Sequence, residues 1–314
     1  MTPPGSAVIV GATGPTGIHL AAALRARGLR VRVCSRSRRS LEKRFSEQQY
    51  ELVAADARDP AALTTAVEGC DVAFDCIGLP PDQMDQHAVT ARHLAEAARR
   101  AGARCVQVSS YWAYLPLRTA SLNERHPREG GGEWVRHRRA AEDILLEAGA
   151  AIVHLPDFFG PDVHTSTIQQ PLQEAVAGKT MNWIGSPDVE REYAFIPDAM
   201  EIVTRLALCD EAYGDRWIVP GAGPLSGRRL QQIVSDILRR PVKLRSAGMW
   251  MLRLVSLFNS DLRGFLQMAP DYMKPLRFDA AKLRALLGDP PVRPYEDSVA
   301  ATLDWLRRTQ SAGS

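Results

Sequence analysis

The stretch Ala7-Val8-Ile9-Val10-Gly11-Ala12-Thr13-Gly14-Pro15-Thr16-Gly17-Ile18 decides how the rest of the chain is read. A β-branched run ends in a glycine-rich turn, and the turn leads into residues 18–27, whose apolar positions have helical spacing up to Gly28. Strand, loop and helix in that order aim backbone N–H groups and the positive helix end at whatever lies in front of the turn, which suits a pyrophosphate. In that setting Gly11 allows the tight turn, Gly14 lets the backbone approach phosphates, and Gly17 lets the helix pack close to the sheet. The alternative is a glycine turn of an α/β protein that binds nothing.

The rhythm continues outward. Strands are predicted over 31–34, 50–54, 71–77, 105–108 and 151–155, and helices over 61–67, 87–100 and 134–148. This alternation implies parallel strands joined by helical crossovers, hence an α/β fold with a doubly wound parallel (Rossmann) sheet. After Pro156 the pattern is punctuated by Pro161, Pro171, Pro187, Pro197, Pro220 and Pro224. The expected organisation is a dinucleotide-binding domain over 1–160 and, over 161–314, mainly a smaller C-terminal substrate lobe with some elements returning to the sheet.

Composition narrows the function classes. The 314 residues are 45% hydrophobic and 24% charged, as in ordinary soluble proteins. A net charge of +3, from 39 basic and 36 acidic residues, leaves no excess for a phosphate backbone, so no nucleic-acid partner is expected. The five cysteines, Cys34, Cys70, Cys76, Cys105 and Cys209, form no C-x-x-C pair, so neither a disulfide framework nor a metal site is expected, and a reducing cytoplasm fits best. The opening residues lack the basic start and apolar stretch of an export signal. The apolar run 247–258 is interrupted by Arg253 and falls short of the ~20 residues of a membrane span, so it is read as an amphipathic helix and no membrane contact is expected. Met249, Met251, Leu252, Leu254, Leu257, Phe258, Leu266 and Met268 read either as core or as a lid over a hydrophobic substrate, with Arg253 and Arg263 available to a carboxylate or phosphate.

The end of the second strand tests which dinucleotide is bound, because an acid there engages a ribose diol and an arginine accepts a 2′-phosphate. The chain has Ser35-Arg36-Ser37-Arg38-Arg39. With no carboxylate and a guanidinium in place, NADP(H) is preferred over NAD(H), with Arg36 as ligand and Arg38 and Arg39 as a solvated basic loop.

With those residues in view, the chain resembles the short-chain dehydrogenase/reductase superfamily, in its extended or atypical branch related to nucleotide-sugar epimerases and dehydratases. The resemblance implies cofactor contacts from Gly11, Thr13, Gly14, Thr16 and Gly17 in the loop, from Ser35 and Arg36, and from Asp56 and Ala57 after strand three. It further implies contacts from Ile77 and Gly78 after strand four and from Pro156 and Phe158 after strand six. Val108-Ser109-Ser110-Tyr111-Trp112-Ala113-Tyr114 resembles the segment bearing the family's catalytic serine, which would be Ser110, and residues 193–199 resemble a later segment leading a helix back onto the sheet.

The family's tyrosine and lysine, four residues apart on one helix face, fall here on Trp134 and Arg138. An indole N–H cannot exchange a proton near neutral pH, and a guanidinium stays charged. Arg138 is still suited to holding the ribose. The proton then comes from another group, with Tyr111, Tyr114, His137, Asp157, His164 and Tyr193 as candidates, or the substrate needs no acid, or the chain binds NADP(H) without turning it over. Each has a structural alternative: Tyr111 and Tyr114 as core, His137 on a basic helix face, Asp157 and His164 as loop residues, Ser110 as a strand-end cap, and Trp134 as gap filler. The expected function is an NADP(H)-dependent oxidoreductase acting on a small, apolar organic substrate, with Ser110, Arg138 and Tyr111 at the reacting end and a homodimer as the candidate assembly. The alternatives are a non-catalytic NADP(H)-binding regulator and an epimerase or dehydratase that retains its cofactor.

Overall fold

Seven parallel strands carry the fold: β1 (Ser6–Val10), β2 (Arg30–Ser35), β3 (Glu51–Ala54), β4 (Val72–Asp75), β5 (Arg104–Ser110), β6 (Ala151–Leu155) and β7 (Arg216–Ile218). The computed structural model describes residues 4–250 and 264–312. Spatial order is β7-β6-β5-β4-β1-β2-β3, so the winding direction reverses between β1 and β4. In such sheets the crevice at the carboxyl ends beside that reversal is where ligands sit.

Helices α1 (Pro15–Ala26), α2 (Arg38–Glu42), α3 (Pro60–Val67), α4 (His87–Ala101) and α5 (Glu133–Glu147) make the crossovers, and α6 (Gln169–Val176), α7 (Ile196–Ala207) and α8 (Gly227–Leu238) follow β6. Alternation along β1 separates the two cores. Ala7 and Ile9 face α1 and α7, while Val8 and Val10 face the side built with α3, α4 and α5. Burying all five residues of β1 explains its continuous apolar reading.

The six sequence-predicted strands are present, within one residue at most ends. The fourth stops at Asp75 instead of 77, because the Asp75 side chain accepts the Ile77 N–H at 3.0 Å and turns the chain out of the ladder. β7 lies within the proline-punctuated stretch, between Pro197 and Pro220, and returns to pair with β6, while α7 packs back on the sheet through Met200, Val203 and Leu206. A third core, around Phe159, Leu172, Trp183, Tyr193, Leu230 and Leu303, belongs to α6, α8 and the C-terminal helix Tyr295–Ala312. Ala247 ends a short strand, Leu244–Ala247. Most of the expected amphipathic helix over 247–258, with Met251, Arg253, Phe258 and Arg263, lies outside the described residues.

Candidate functional site

Gly11 has φ +85°, and a Cβ there would lie 2.6 Å from the Cys76 carbonyl oxygen. Gly17 has no such torsional need, but a Cβ on it would come within 2.5 Å of Ala12 Cα, so its role is close helix packing. The Gly11 and Ala12 amides both donate to the Cys34 carbonyl at 3.0 Å, which ties the turn to β2. Gly14 is the N-cap of α1 with no side-chain cap, and the first helical bond runs from Ile18 N–H to Gly14. The helix N-terminus is therefore open to a ligand, in a cradle that side chains would fill. This fits a pyrophosphate.

A cavity of about 290 Å³ opens in front of this turn. Gly11, Thr13, Gly14, Ser35, Arg36, Asp56, Ala57, Ile77 and Gly78 line it. Nine expected cofactor residues thus meet in one place. Thr16, Gly17, Pro156, Phe158 and Arg138 do not line it. Arg58 and Thr90, which do, were not anticipated from sequence. Arg58 holds Asp56 through contacts of 2.6 Å and 3.0 Å, and these bonds push the Asp56 carboxyl down to about 2. Arg38 is committed elsewhere: it donates to Glu42 at 2.9 Å, to the Leu52 carbonyl at 2.6 Å and to Glu47. Arg36 is exposed at the cavity wall with neither a hydrogen bond nor an ion pair among the described residues.

At the carboxyl ends of β5 and β6 the residue types change. Ser110 Oγ accepts the Trp112 N–H at 3.3 Å and so caps the short turn of helix Tyr111–Tyr114, and its own proton has no acceptor among the described residues. Tyr111 is buried, and its hydroxyl meets Asp157 at 3.3 Å and takes a bond from Arg191 at 3.0 Å. Tyr272 donates to the other Asp157 oxygen at 3.0 Å and accepts from Trp112 Nε1 at 2.9 Å. Burial drives the Asp157 carboxyl upward, against the opposing charge of Arg191, and pushes both phenols far up.

The remaining candidates are dispersed. Tyr114 is buried against His154, ring centroids 4.8 Å apart, and its hydroxyl has no partner among the described residues. His137 pairs with Glu133 on its own helix at 3.4 Å, and His164 is exposed beside Trp305. Tyr193 is buried and shares the electrostatic surroundings of Asp157 and Arg191. Trp134 packs against Gly264, where a Cβ would lie 2.1 Å from its ring. Arg138 is half-buried, its guanidinium 6.0 Å from the Trp112 ring centroid. Burial lowers its pKa, and the carboxylates of Glu142 and Asp75 oppose that shift. Arg191, Tyr272 and Thr167 were missed: Arg191 lies in Glu190-Arg191-Glu192, which reads as an exposed charge run, and nothing local marks the other two.

The doubly wound sheet and the glycine cradle at the start of α1 have the form of a dinucleotide-binding α/β fold. Residues 11–154 match the family model described as NAD(P)H-binding. The chain is 28% identical over 242 residues to sterol demethylase protein B of Methylococcus capsulatus, covering 71% of this chain and 72% of that protein. It is 34% identical over 166 residues to ceramide reductase of Caulobacter vibrioides, covering 50% of this chain and 47% of that one. The structure of UDP-glucuronic acid 4-epimerase from Bacillus cereus in complex with NAD superposes with a TM-score of 0.79 over 97% of this chain and 99% of that chain, at 14% identity. Residues 11–154 are thus similar to NAD(P)H-binding domains, and the chain shares the fold of that epimerase.

Proposed function

We propose that the chain is an NADP(H)-dependent oxidoreductase acting on an apolar, lipid-like alcohol or ketone in a reducing, cytoplasmic setting. The observation that carries the cofactor preference is the exposed Arg36 guanidinium at the cavity, which has no hydrogen bond or ion pair among the described residues and only the more distant charge of Asp56 near it, beside an Arg38 already occupied by two glutamates. A bidentate guanidinium suits a 2′-phosphate, and no carboxylate stands at the end of β2 to bind a diol instead. The lipid class is supported by the names of the two relatives, a sterol demethylase protein and a ceramide reductase.

The open amides at the start of α1 and the glycine cradle hold the pyrophosphate, Arg36 the 2′-phosphate, and Arg138 the ribose of the nicotinamide half. When bound, the reduced dinucleotide supplies a hydride to a carbonyl carbon. Ser110 donates its free proton as a hydrogen bond to the substrate oxygen and orients it.

The test is NADPH and NADH titration by fluorescence, followed by NADPH oxidation with steroid ketones, long-chain ketones and the matching alcohols run in reverse. Tighter binding of NADPH and oxidation with at least one ketone are expected. Binding without turnover on any of them would instead make the chain a non-catalytic dinucleotide binder, and cofactor retained through purification without net redox change would favour an epimerase.

A further inference from the structure

Three hydroxyls from separate parts of the chain converge on one carboxyl. Asp157, two residues past the end of β6, accepts from Tyr272 at 3.0 Å, from Tyr111 at 3.3 Å and from Thr167 at 3.3 Å. Arg191 and Trp112 orient the two phenols in turn, and the Arg191 guanidinium is anchored at 2.7 Å to the carbonyls of Asp271 and Lys274. Tyr111 and Tyr272 are buried and their protons already point at the carboxyl, so neither has a proton to spare for a substrate. Asp157, by contrast, is only half-buried, and no ion pair neutralises it among the described residues. Through Tyr111 it adjoins Ser110 in the chain, and through Tyr272 and Trp112 it reaches the guanidinium of Arg138.

We propose that Asp157 is the acid/base that exchanges the proton with the substrate oxygen, the task an indole at position 134 cannot perform. This rests on the oxidoreductase reading above. In the reducing direction the carbonyl carbon takes a hydride and its electron pair from NADPH, while the oxygen takes the proton of the Asp157 carboxyl, whose O–H bond breaks. Alcohol, NADP⁺ and an Asp157 carboxylate result, and water restores the proton. Tyr111, Tyr272 and Thr167 are positioning residues that fix the carboxyl and stabilise its anion. The titratable or charged groups facing Asp157 are Arg191, Tyr111, Tyr193 and Tyr272. Burial keeps a proton on the carboxyl above the ordinary carboxylate range, which suits a general acid.

The first readout needs no ligand. Infrared difference spectra of the cofactor-free protein across a pH titration should contain a protonated-carboxyl band that persists above the ordinary range, disappears in Asp157→Asn, and moves to higher pH in Tyr272→Phe, which removes one donor to the anion. The second readout uses NADPH and the ketone turned over by wild type. Asp157→Asn should lower kcat by about 10²- to 10⁴-fold and flatten its pH profile, with NADPH affinity held within about twofold. Tyr272→Phe, a smaller change to the fold, should lower kcat less and shift the same limb of the profile upward. Full turnover with an unaltered pH profile in Asp157→Asn, or no band assignable to Asp157, overturns the proposal alone. Wild type that binds NADPH but reduces no ketone sinks the oxidoreductase reading itself, and with it the role assigned to Asp157.

Discussion

Replacing Gly11 by alanine tests the cradle and the fold together. The residue has φ +85°, a conformation that costs an L side chain about 1–2 kcal/mol. Its new Cβ would also face the Cys76 carbonyl oxygen at 2.6 Å, the Cys76 carbonyl carbon at 2.7 Å and the Ile77 nitrogen at 2.8 Å, all of them backbone atoms without a rotamer to yield. Reaching ordinary contact near 3.4 Å requires the loop after β4 to retreat by roughly 0.8 Å, an overpacking cost of about 1–3 kcal/mol. Together the two effects amount to about 2–5 kcal/mol, and at about 2 °C per kcal/mol for a chain this long the melting temperature should fall by about 4–10 °C.

Gly14→Ala is the control. Its φ is −78°, and the nearest heavy atom to a Cβ there is 3.7 Å away. That variant should melt within about 2 °C of wild type, yet bind NADPH at least about tenfold more weakly, because the methyl stands where phosphate must approach the backbone. Differential scanning calorimetry and titration calorimetry on both variants decide the matter. Unchanged melting in Gly11→Ala refutes the strain argument, and wild-type NADPH affinity in both variants refutes the assignment of the loop.

Arg36→Ala should weaken NADPH by about 10- to 100-fold, the worth of a charge-assisted bond to the 2′-phosphate, while NADH affinity changes little; an unaltered ratio by fluorescence titration places the phosphate elsewhere. His87 is buried with Nε2 unpartnered among the described residues, and burial, with the nearby charge of Arg138, depresses its pKa to about 3. Between pH 6.5 and about 3 the unfolded chain binds a proton that the folded one refuses, so stability should fall with pH at up to about 1.4 kcal/mol per unit, a slope that His87→Gln should reduce in urea melts. Glu142→Ala should destabilise the chain by about 3–5 kcal/mol in denaturant unfolding, because it strips the buried partner from His154 at 3.1 Å and from Arg128 at 2.7 Å; a loss under about 1 kcal/mol would mean that the cluster relaxes or admits water.

What was legible in the sequence is what a short window can encode. Strand β1 is buried on both faces, so five consecutive apolar or small residues announce it, and the glycines after it report contacts with Cys76 and Ala12 that are forced by the local turn. Nine residues expected at the dinucleotide line one cavity: those of the glycine turn and Ser35 and Arg36 were read from their places after strands one and two, whereas Asp56, Ala57, Ile77 and Gly78 came from the family resemblance. The reacting end is different. Asp157 meets Tyr111 across 46 positions and Tyr272 across 115, and Arg191 reaches Tyr111 across 80. No periodicity connects such residues, and Tyr272 sits in a four-residue helix, too short to carry a pattern. Ser110 shows the converse limit, since its place at a strand end was plain but its capping bond to Trp112 required coordinates.

The arginine at position 138 also bears on where the proton must come from. On α5, Trp134, Arg138 and Glu142 recur every four residues and share a face, and burial of that face lowers the guanidinium pKa. A lysine begins near 10.4, so the same desolvation would bring its ammonium toward neutrality, whereas arginine begins two or more units higher and keeps its charge. The side chain is thus a fixed cation, supported by Glu142 and Asp75, and it orients and attracts without exchanging protons. The indole beside it on the same helix is equally fixed, since its ring is packed against Gly264. Neither Trp134 nor Arg138 therefore supplies a proton, and on the proposal made above the exchange falls to Asp157, a half-buried carboxyl gripped by three hydroxyls.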